Sequence, residues 1–126
     1  MAGIRGSDTQ PELLVRRYLH AAGLRFRLND RLLPGRPDIV LPRYRSVVFV
    51  HGCFWHRHPG CRYATTPLAR AEFWASKFAL NIQRDKRVVA ELEALGWTVL
   101  TFWECEMRDP ANLDMLFWHI VSAGSR

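Results

Sequence analysis

Apolar residues recur at helical spacing near the start of the chain. Leu14, Tyr18, Leu19 and Ala22 share one face, with Ser7, Asp8 and Thr9 as cap candidates, Pro11 in the first turn and Gly23 as the stop. Arg25–Leu28 alternates polar and apolar, the period of a short strand. The turn Pro34-Gly35-Arg36-Pro37 delivers Asp38 to the head of Ile39–Leu41, and a second turn, Pro42–Arg45, leads into Ser46–Val50. These two runs predict a hairpin, and the nearly unbroken apolar character of the second predicts a central strand. His51–Arg62 holds Gly52, Pro59 and Gly60 and predicts an irregular loop. From Leu68 to Leu95 the pattern turns helical, with Phe73, Phe78, Ile82, Val89, Leu92 and Leu95 on roughly one face and Gly96 as the stop. Trp97–Phe102 reads as a strand, and a helical crossover before it suits parallel pairing. Asp109-Pro110 opens a last helix to about Val121. The order predicts an α/β or α+β sandwich around a mixed sheet. No repeat or linker interrupts it, so residues 1–126 are expected to form one domain.

At 126 residues the chain has room for one modest core. Eighteen Lys and Arg outnumber twelve Asp and Glu, for a formal net charge of +6, and nearly all the cations are Arg. The guanidinium fork suits phosphate and base edges, so the bias points to nucleic acid, although a solubilising surface explains the charge alone equally well. No apolar run approaches the roughly 20 residues of a membrane span. Met1–Gly6 lacks the apolar stretch of a secretory signal, and three cysteines cannot all pair within one chain. A reducing cytoplasm is the expected setting.

Candidate chemistry begins with Cys53, His58 and Cys61, which fall within nine residues of the irregular loop. Cys105 follows the last strand, and adjacent strands can bring their C-terminal ends together. Thiolates with an imidazole are the ligand set of tetrahedral zinc, and four protein ligands make a closed, structural site. His51 and His56 compete as nitrogen ligands. His58 is preferred because two residues separate it from Cys61, so that a tight turn can wrap one ion. Three buried thiols beside a His-rich surface loop is the plainer alternative, but it leaves the clustering unexplained.

Asp38, after Pro37 and before a hairpin strand, has the outline of a metal-dependent nuclease acid, a hard oxygen ligand for magnesium with backbone carbonyls completing the shell. Such nucleases commonly carry an acid and a lysine on the next strand, yet Val48-Phe49-Val50-His51 has neither. Histidine must then replace lysine, with His56 and His51 as candidates and Glu12 on the first helix able to orient one of them. Taken singly, Asp38 is also an ordinary turn residue and Glu12 an ordinary helix N-terminal acid. Phe54-Trp55 places two large aromatics in a loop too short to bury both comfortably, which suggests stacking on or wedging between bases, against a loop-plugging core contact. Lys77 and Asn81 lie four apart on the long helix and could offer base-edge donors, where a solvated flank is the default.

Pro34–Asp38, the eleven residues His51–Cys61 and Trp103-Glu104-Cys105 resemble the very-short-patch repair (Vsr) DNA mismatch endonucleases, as do Glu72–Trp74, Asn81, Arg84-Asp85 and Leu95–Trp97. The resemblance implies a restriction-endonuclease-like fold with a structural zinc. It also implies magnesium-dependent nicking of one strand, 5′ to the thymine of a T·G mismatch left by deamination of 5-methylcytosine. Carried over, Asp38 binds magnesium, His56 is the acid/base histidine with Glu12 as its hydrogen-bonded partner, and His51 lies at the scissile phosphate. Cys53, His58, Cys61 and Cys105 hold zinc. Phe54 and Trp55 intercalate beside the mismatch, and Lys77 and Asn81 read the wobble pair. The resemblance further implies a bacterial cytoplasmic, nucleoid-associated monomer acting on duplex DNA alongside mismatch-repair proteins.

Three departures stand out. Val50 occupies a position often held by threonine, so only its backbone carbonyl can serve the magnesium. The loop is one residue longer before Cys61. The chain also starts at Met1, near a residue that wedges into DNA in relatives with a longer basic arm, so residues 1–10 are expected to be a flexible, shortened arm. These departures keep open a related nicking or phage-defence nuclease with another target. A zinc-bearing DNA-binding module without catalysis is the alternative from another class.

Overall fold

A computed structural model of the chain describes residues 9–65 and 67–124. In order these form α1 (Gln10–Ala21), β1 (Arg27–Leu28), β2 (Ile39–Leu41), β3 (Ser46–His51), α2 (Ala71–Ala94), β4 (Thr98–Trp103) and α3 (Ala111–Gly124). Short 3-10 turns at Pro42–Tyr44 and Glu104–Arg108 follow β2 and β4. The sheet order is β1-β2-β3-β4, with antiparallel pairing up to β3 and parallel pairing between β3 and β4. The predicted hairpin, crossover and mixed sheet are all present.

Alternation along the strands makes two cores. Ile39, Leu41, Val48 and Phe102 face α1 and α3, where Val15, Leu19, Leu113, Leu116 and Ile120 meet them. Val40, Val47 and Phe49 face the other way and pack with Leu92 of α2. A strand buried on both faces needs apolar residues at successive positions, and this is why Val47-Val48-Phe49 reads as an unbroken run. The chain is therefore a mixed α/β sheet flanked by helices on both faces.

Two expected helix faces need correction. On α1, Leu14, Tyr18 and Leu19 do pack into or against the core, joined by the buried Val15, but Ala22 is exposed just past the helix end. On α2, Phe78 and Leu92 are buried, but Phe73, Ile82 and Leu95 are 39%, 37% and 55% exposed. The cause is length. Twenty-four helical residues span roughly 36 Å, against about 20 Å for a six-residue strand. The second half of α2 therefore covers the sheet, while its first half overhangs the loop after β3. There Phe54 and Trp55 pack on Phe78.

Gly96 ends α2 at φ +91°, letting its own N–H reach Glu93 and the Trp97 N–H reach Leu92. Gly35, in the turn before Asp38, has φ +72°, and a Cβ there would lie 2.4 Å from a Val88 methyl on α2. The turn that aims Asp38 is thus seated directly against α2, a contact only glycine permits.

Candidate active site and metal centre

Asp38 leaves the Gly35 turn one residue before β2, and its Oδ2 accepts the Val50 N–H of β3 at 2.7 Å. Backbone N–H and C=O of one strand residue leave on the same edge, so the Val50 carbonyl is on the Asp38 side as well. Burial pushes the Asp38 carboxyl up to about 6, although the Val50 amide works against this, and Glu12 adds to the rise. Glu12 is 3% exposed and accepts a hydrogen bond from Arg16 at 3.1 Å.

His51, the last residue of β3, stacks on His56 with ring centroids 3.7 Å apart and planes 3° apart. His56 Nδ1 lies 2.7 Å from Asp85 Oδ2 on α2. The expected Glu12–His56 hydrogen bond is therefore corrected: the carboxylate on His56 is Asp85. The reason is placement, because Glu12 turns along α1 to Arg16 while Asp85, just past the middle of α2, lies within reach of the loop after β3. Burial drives His51 down to about 4, with the nearby His56 charge adding to the effect, so His51 is neutral at neutral pH. Burial acts to raise Asp85, but the hydrogen bond from His56 and the charges around it win and hold the carboxyl below its usual value. Beside the histidines, Gly35, Phe49, Val88 and Val89 floor a cleft of about 240 Å³ whose walls carry Arg84 and Asp85.

The ligand atoms of Cys53, His58, Cys61 and Cys105 all lie within 4.8 Å of one another. The parallel register explains their convergence. His51 pairs with Trp103, and Cys53 and Cys105 each follow two residues later. Turns at His58 N–H to Cys53 O (3.1 Å) and Cys61 N–H to His58 O (3.3 Å) then wrap the loop round the same point. A tetrahedral ion with zinc–sulfur and zinc–nitrogen bonds of usual length separates S and N ligands by about 3.6 Å. His58 Nδ1 sits 3.7 Å from the Cys53 sulfur and 3.4 Å from the Cys105 sulfur, so the residues fit a metal ion. Burial pushes the Cys53 thiol up to about 12 and raises Cys105 as well.

Phe54 and Trp55 are half-buried, in an aromatic cluster with Trp74 and Phe78. The loop alone cannot bury them, but the overhang of α2 does so in part. Lys77 is exposed with its ammonium 5.2 Å over the Phe73 ring. Asn81 Nδ2 donates to the Trp55 carbonyl at 3.2 Å, and its Oδ1 accepts from Arg84 at 3.0 Å. Met1 lies outside the described residues, as does most of the expected arm.

The family model described as DNA mismatch endonuclease Vsr matches residues 1–62. The DNA mismatch endonuclease Vsr of Escherichia coli is 46% identical over 113 residues, covering 90% of this chain and 72% of that protein. The chain belongs to the Vsr DNA mismatch endonuclease family. Two further relatives are type II nicking enzymes. V.XorIIP of Xanthomonas oryzae pv. oryzae is 48% identical, covering 96% of this chain and 88% of that protein. V.NmeAIP of Neisseria meningitidis serogroup A is 43% identical, covering 88% and 79%. Family membership makes the chain a DNA endonuclease.

The contacts of two residues in this Vsr-family site are not legible in the motifs that contain them. Asp85 belongs to the Arg84-Asp85 stretch, but only its distance to His56 shows what it does. Arg57 looks like a DNA-facing cation, but its guanidinium donates to the carbonyls of Phe54, Ala64 and Thr65 and lies 4.0 Å over the Phe78 ring. It is a strut of the loop. No helix among the described residues is long and apolar enough to cross a membrane.

Proposed function

We propose that this chain nicks one strand of duplex DNA, 5′ to the thymine of a T·G mismatch left by deamination of 5-methylcytosine. It would do so as a magnesium-dependent monomer with a structural zinc, in the bacterial cytoplasm alongside mismatch-repair proteins. The observation that carries this reading is the Asp38–Val50 contact beside the His51–His56–Asp85 group, near enough for the His56 charge to act on Asp38, in a chain 46% identical to a mismatch endonuclease. An acid at the head of a hairpin, followed by a crossover to a parallel strand, supports a restriction-endonuclease-like fold across a single domain. Cys53, His58, Cys61 and Cys105 would hold the zinc, clamping the loop to the end of β4.

Asp38 and the Val50 carbonyl would hold the magnesium, which when bound neutralises charge developing on the phosphodiester. Asp85 accepts from His56 Nδ1–H, which fixes the tautomer and leaves Nε2 as the nitrogen that exchanges a proton. His51, being neutral, would meet the scissile phosphate as a hydrogen-bonding group. Glu12, buried near Asp38, would tune that carboxylate electrostatically and is assigned no proton transfer. Phe54, Trp55, Lys77 and Asn81 border one another on the overhanging face and would engage the mismatch, joined by Met1 from the arm.

Incubation with otherwise identical T·G and T·A duplexes, with and without magnesium, tests the reading. Magnesium-dependent nicking of T·G alone is expected. Binding without cleavage, or equal cleavage of both duplexes, would overturn it. The second of these outcomes would favour nicking at another target, a reading encouraged by the type II nicking enzymes among the relatives.

Asp85→Asn should keep the fold and lower the nicking rate by on the order of 10²-fold, within the range that acid–base catalysis contributes. An unchanged single-turnover rate would remove Asp85 from the site. Trp55→Ala should cost about 1–2 kcal/mol of stability, less than the roughly 3–5 kcal/mol of a fully buried aromatic. Affinity for the T·G duplex should fall by roughly 1–3 kcal/mol, with discrimination against T·A falling too. Melting temperature and both affinities, measured at one salt concentration, decide this. A large loss of stability with discrimination intact would make Trp55 a core plug.

A further inference from the structure

The indole of Trp103 touches both centres. It stacks on His58 of the Cys/His cluster at 4.2 Å and 11°, and meets His51 edge-on at 5.3 Å and 74°. His51 lies flat on His56, and His56 reaches Asp85. Four rings therefore run without a break from the cluster to the carboxylate. The Trp103 backbone is held twice, by parallel pairing with His51 and by its main-chain N–H, which donates to Glu106 Oε1 at 2.9 Å.

The His51–His56 stack needs outside support. Face-to-face rings are the least favoured aromatic arrangement, so two imidazoles have little reason of their own to stay parallel. Asp85 fixes His56. The His51 ring has no hydrogen-bond partner among the described residues, and the other rings it meets are those of Trp103 and Phe49. A tilted Phe49 ring at 5.6 Å does not set a plane by itself.

We propose that Trp103 is a positioning residue, whose ring sets the plane of His51 and, through the stack, aims His56 at Asp85. The kinetic side of this proposal rests on the nuclease reading, but the geometric side does not. Trp103→Phe keeps a ring beside His51, and Trp103→Leu fills space without one. The test compares wild type and both variants in the metal-loaded full chain. It first reads the imidazole N–H spectrum by nitrogen-edited NMR, where the His56 Nδ1 proton shared with Asp85 is observed without DNA. It then reads kcat and KM for nicking of a T·G duplex.

The His56 signal should persist in Trp103→Phe and be lost or displaced in Trp103→Leu. In the Leu variant kcat should fall at least about 10-fold, part of the acid–base contribution, with KM and zinc content unchanged. The Phe variant should recover most of that loss. A wild-type His56 signal in the Leu variant, or equal losses in both variants, would overturn the proposal. If the Leu variant does not fold, Trp103→Met has similar reach and is read in the same way. Wild-type protein that fails to nick T·G would refute the nuclease reading, while the His56 signal would still decide the positioning role.

Discussion

Asp38→Asn should abolish nicking and at the same time raise the melting temperature of the magnesium-free, zinc-loaded protein. Folding lifts the Asp38 carboxyl from 3.8 to about 6, chiefly by burial. The folded state therefore keeps its proton longer than the unfolded chain, and this residue's contribution to stability falls as pH rises from 3.8 to about 6. Above that window the buried charge has its full cost, about 1–3 kcal/mol when two pH units are discounted for partial exposure. Asparagine retains an oxygen for the Val50 amide and removes the charge. Its melting temperature at pH 7.5 should exceed that of wild type by a few degrees, and the two proteins should converge near pH 4. The charge that strains the fold is the one magnesium needs. Wild-type nicking at limiting magnesium should accordingly decline as pH drops through about 6, and recover when magnesium is raised. Nicking by the variant within a few-fold of wild type at saturating magnesium would take Asp38 out of the metal site.

Cys61→Ser and Cys105→Ser should each unfold the domain or bring it to the edge of unfolding. A structural zinc contributes on the order of 10 kcal/mol in small sites, and a whole domain is stable by only about 5–15 kcal/mol. The raised Cys53 and Cys105 thiols add a sign to the experiment. Without an ion they hold their protons at neutral pH, so loading releases protons and affinity must increase with pH. Elemental analysis beside a chelator-challenged thermal melt is the measurement. Variants that melt like wild type, from a wild-type protein without zinc, would show that the cluster is only three thiols and a histidine at close quarters.

What the chain discloses on its own follows from the range of the interactions involved. Alternation and turn residues are local, so β2, β3 and β4 could be read, and the crossover of α2 implied their parallel pair. The cysteine cluster was legible because three of its members sit in one loop. The His56–Asp85 pair was hidden because nothing in 29 residues of sequence separation distinguishes a helix carboxylate that meets a histidine from one that faces only solvent. Glu12 was misjudged as the partner of His56 for a related reason. Helical spacing says which residues share a face, but not which way that face turns. The aromatic loop was half-legible, because the extent of its burial depends on how far α2 runs past the sheet, a matter of relative lengths in three dimensions.

The equal two-residue steps from the His51–Trp103 pair to Cys53 and Cys105 carry a lesson for anyone recombining such chains. Adding or deleting one residue in either step would shift a thiol away from the other three side chains of the cluster, so neither segment is a place to splice a chimera. The stretch between His58 and Cys61 is different. Pro59 and Gly60 are exposed there, no strand pairing runs through them, and the bend is closed by the Cys61 N–H on the His58 carbonyl. Length variation in this motif should therefore collect at that one bend, and libraries of loop lengths should be built there.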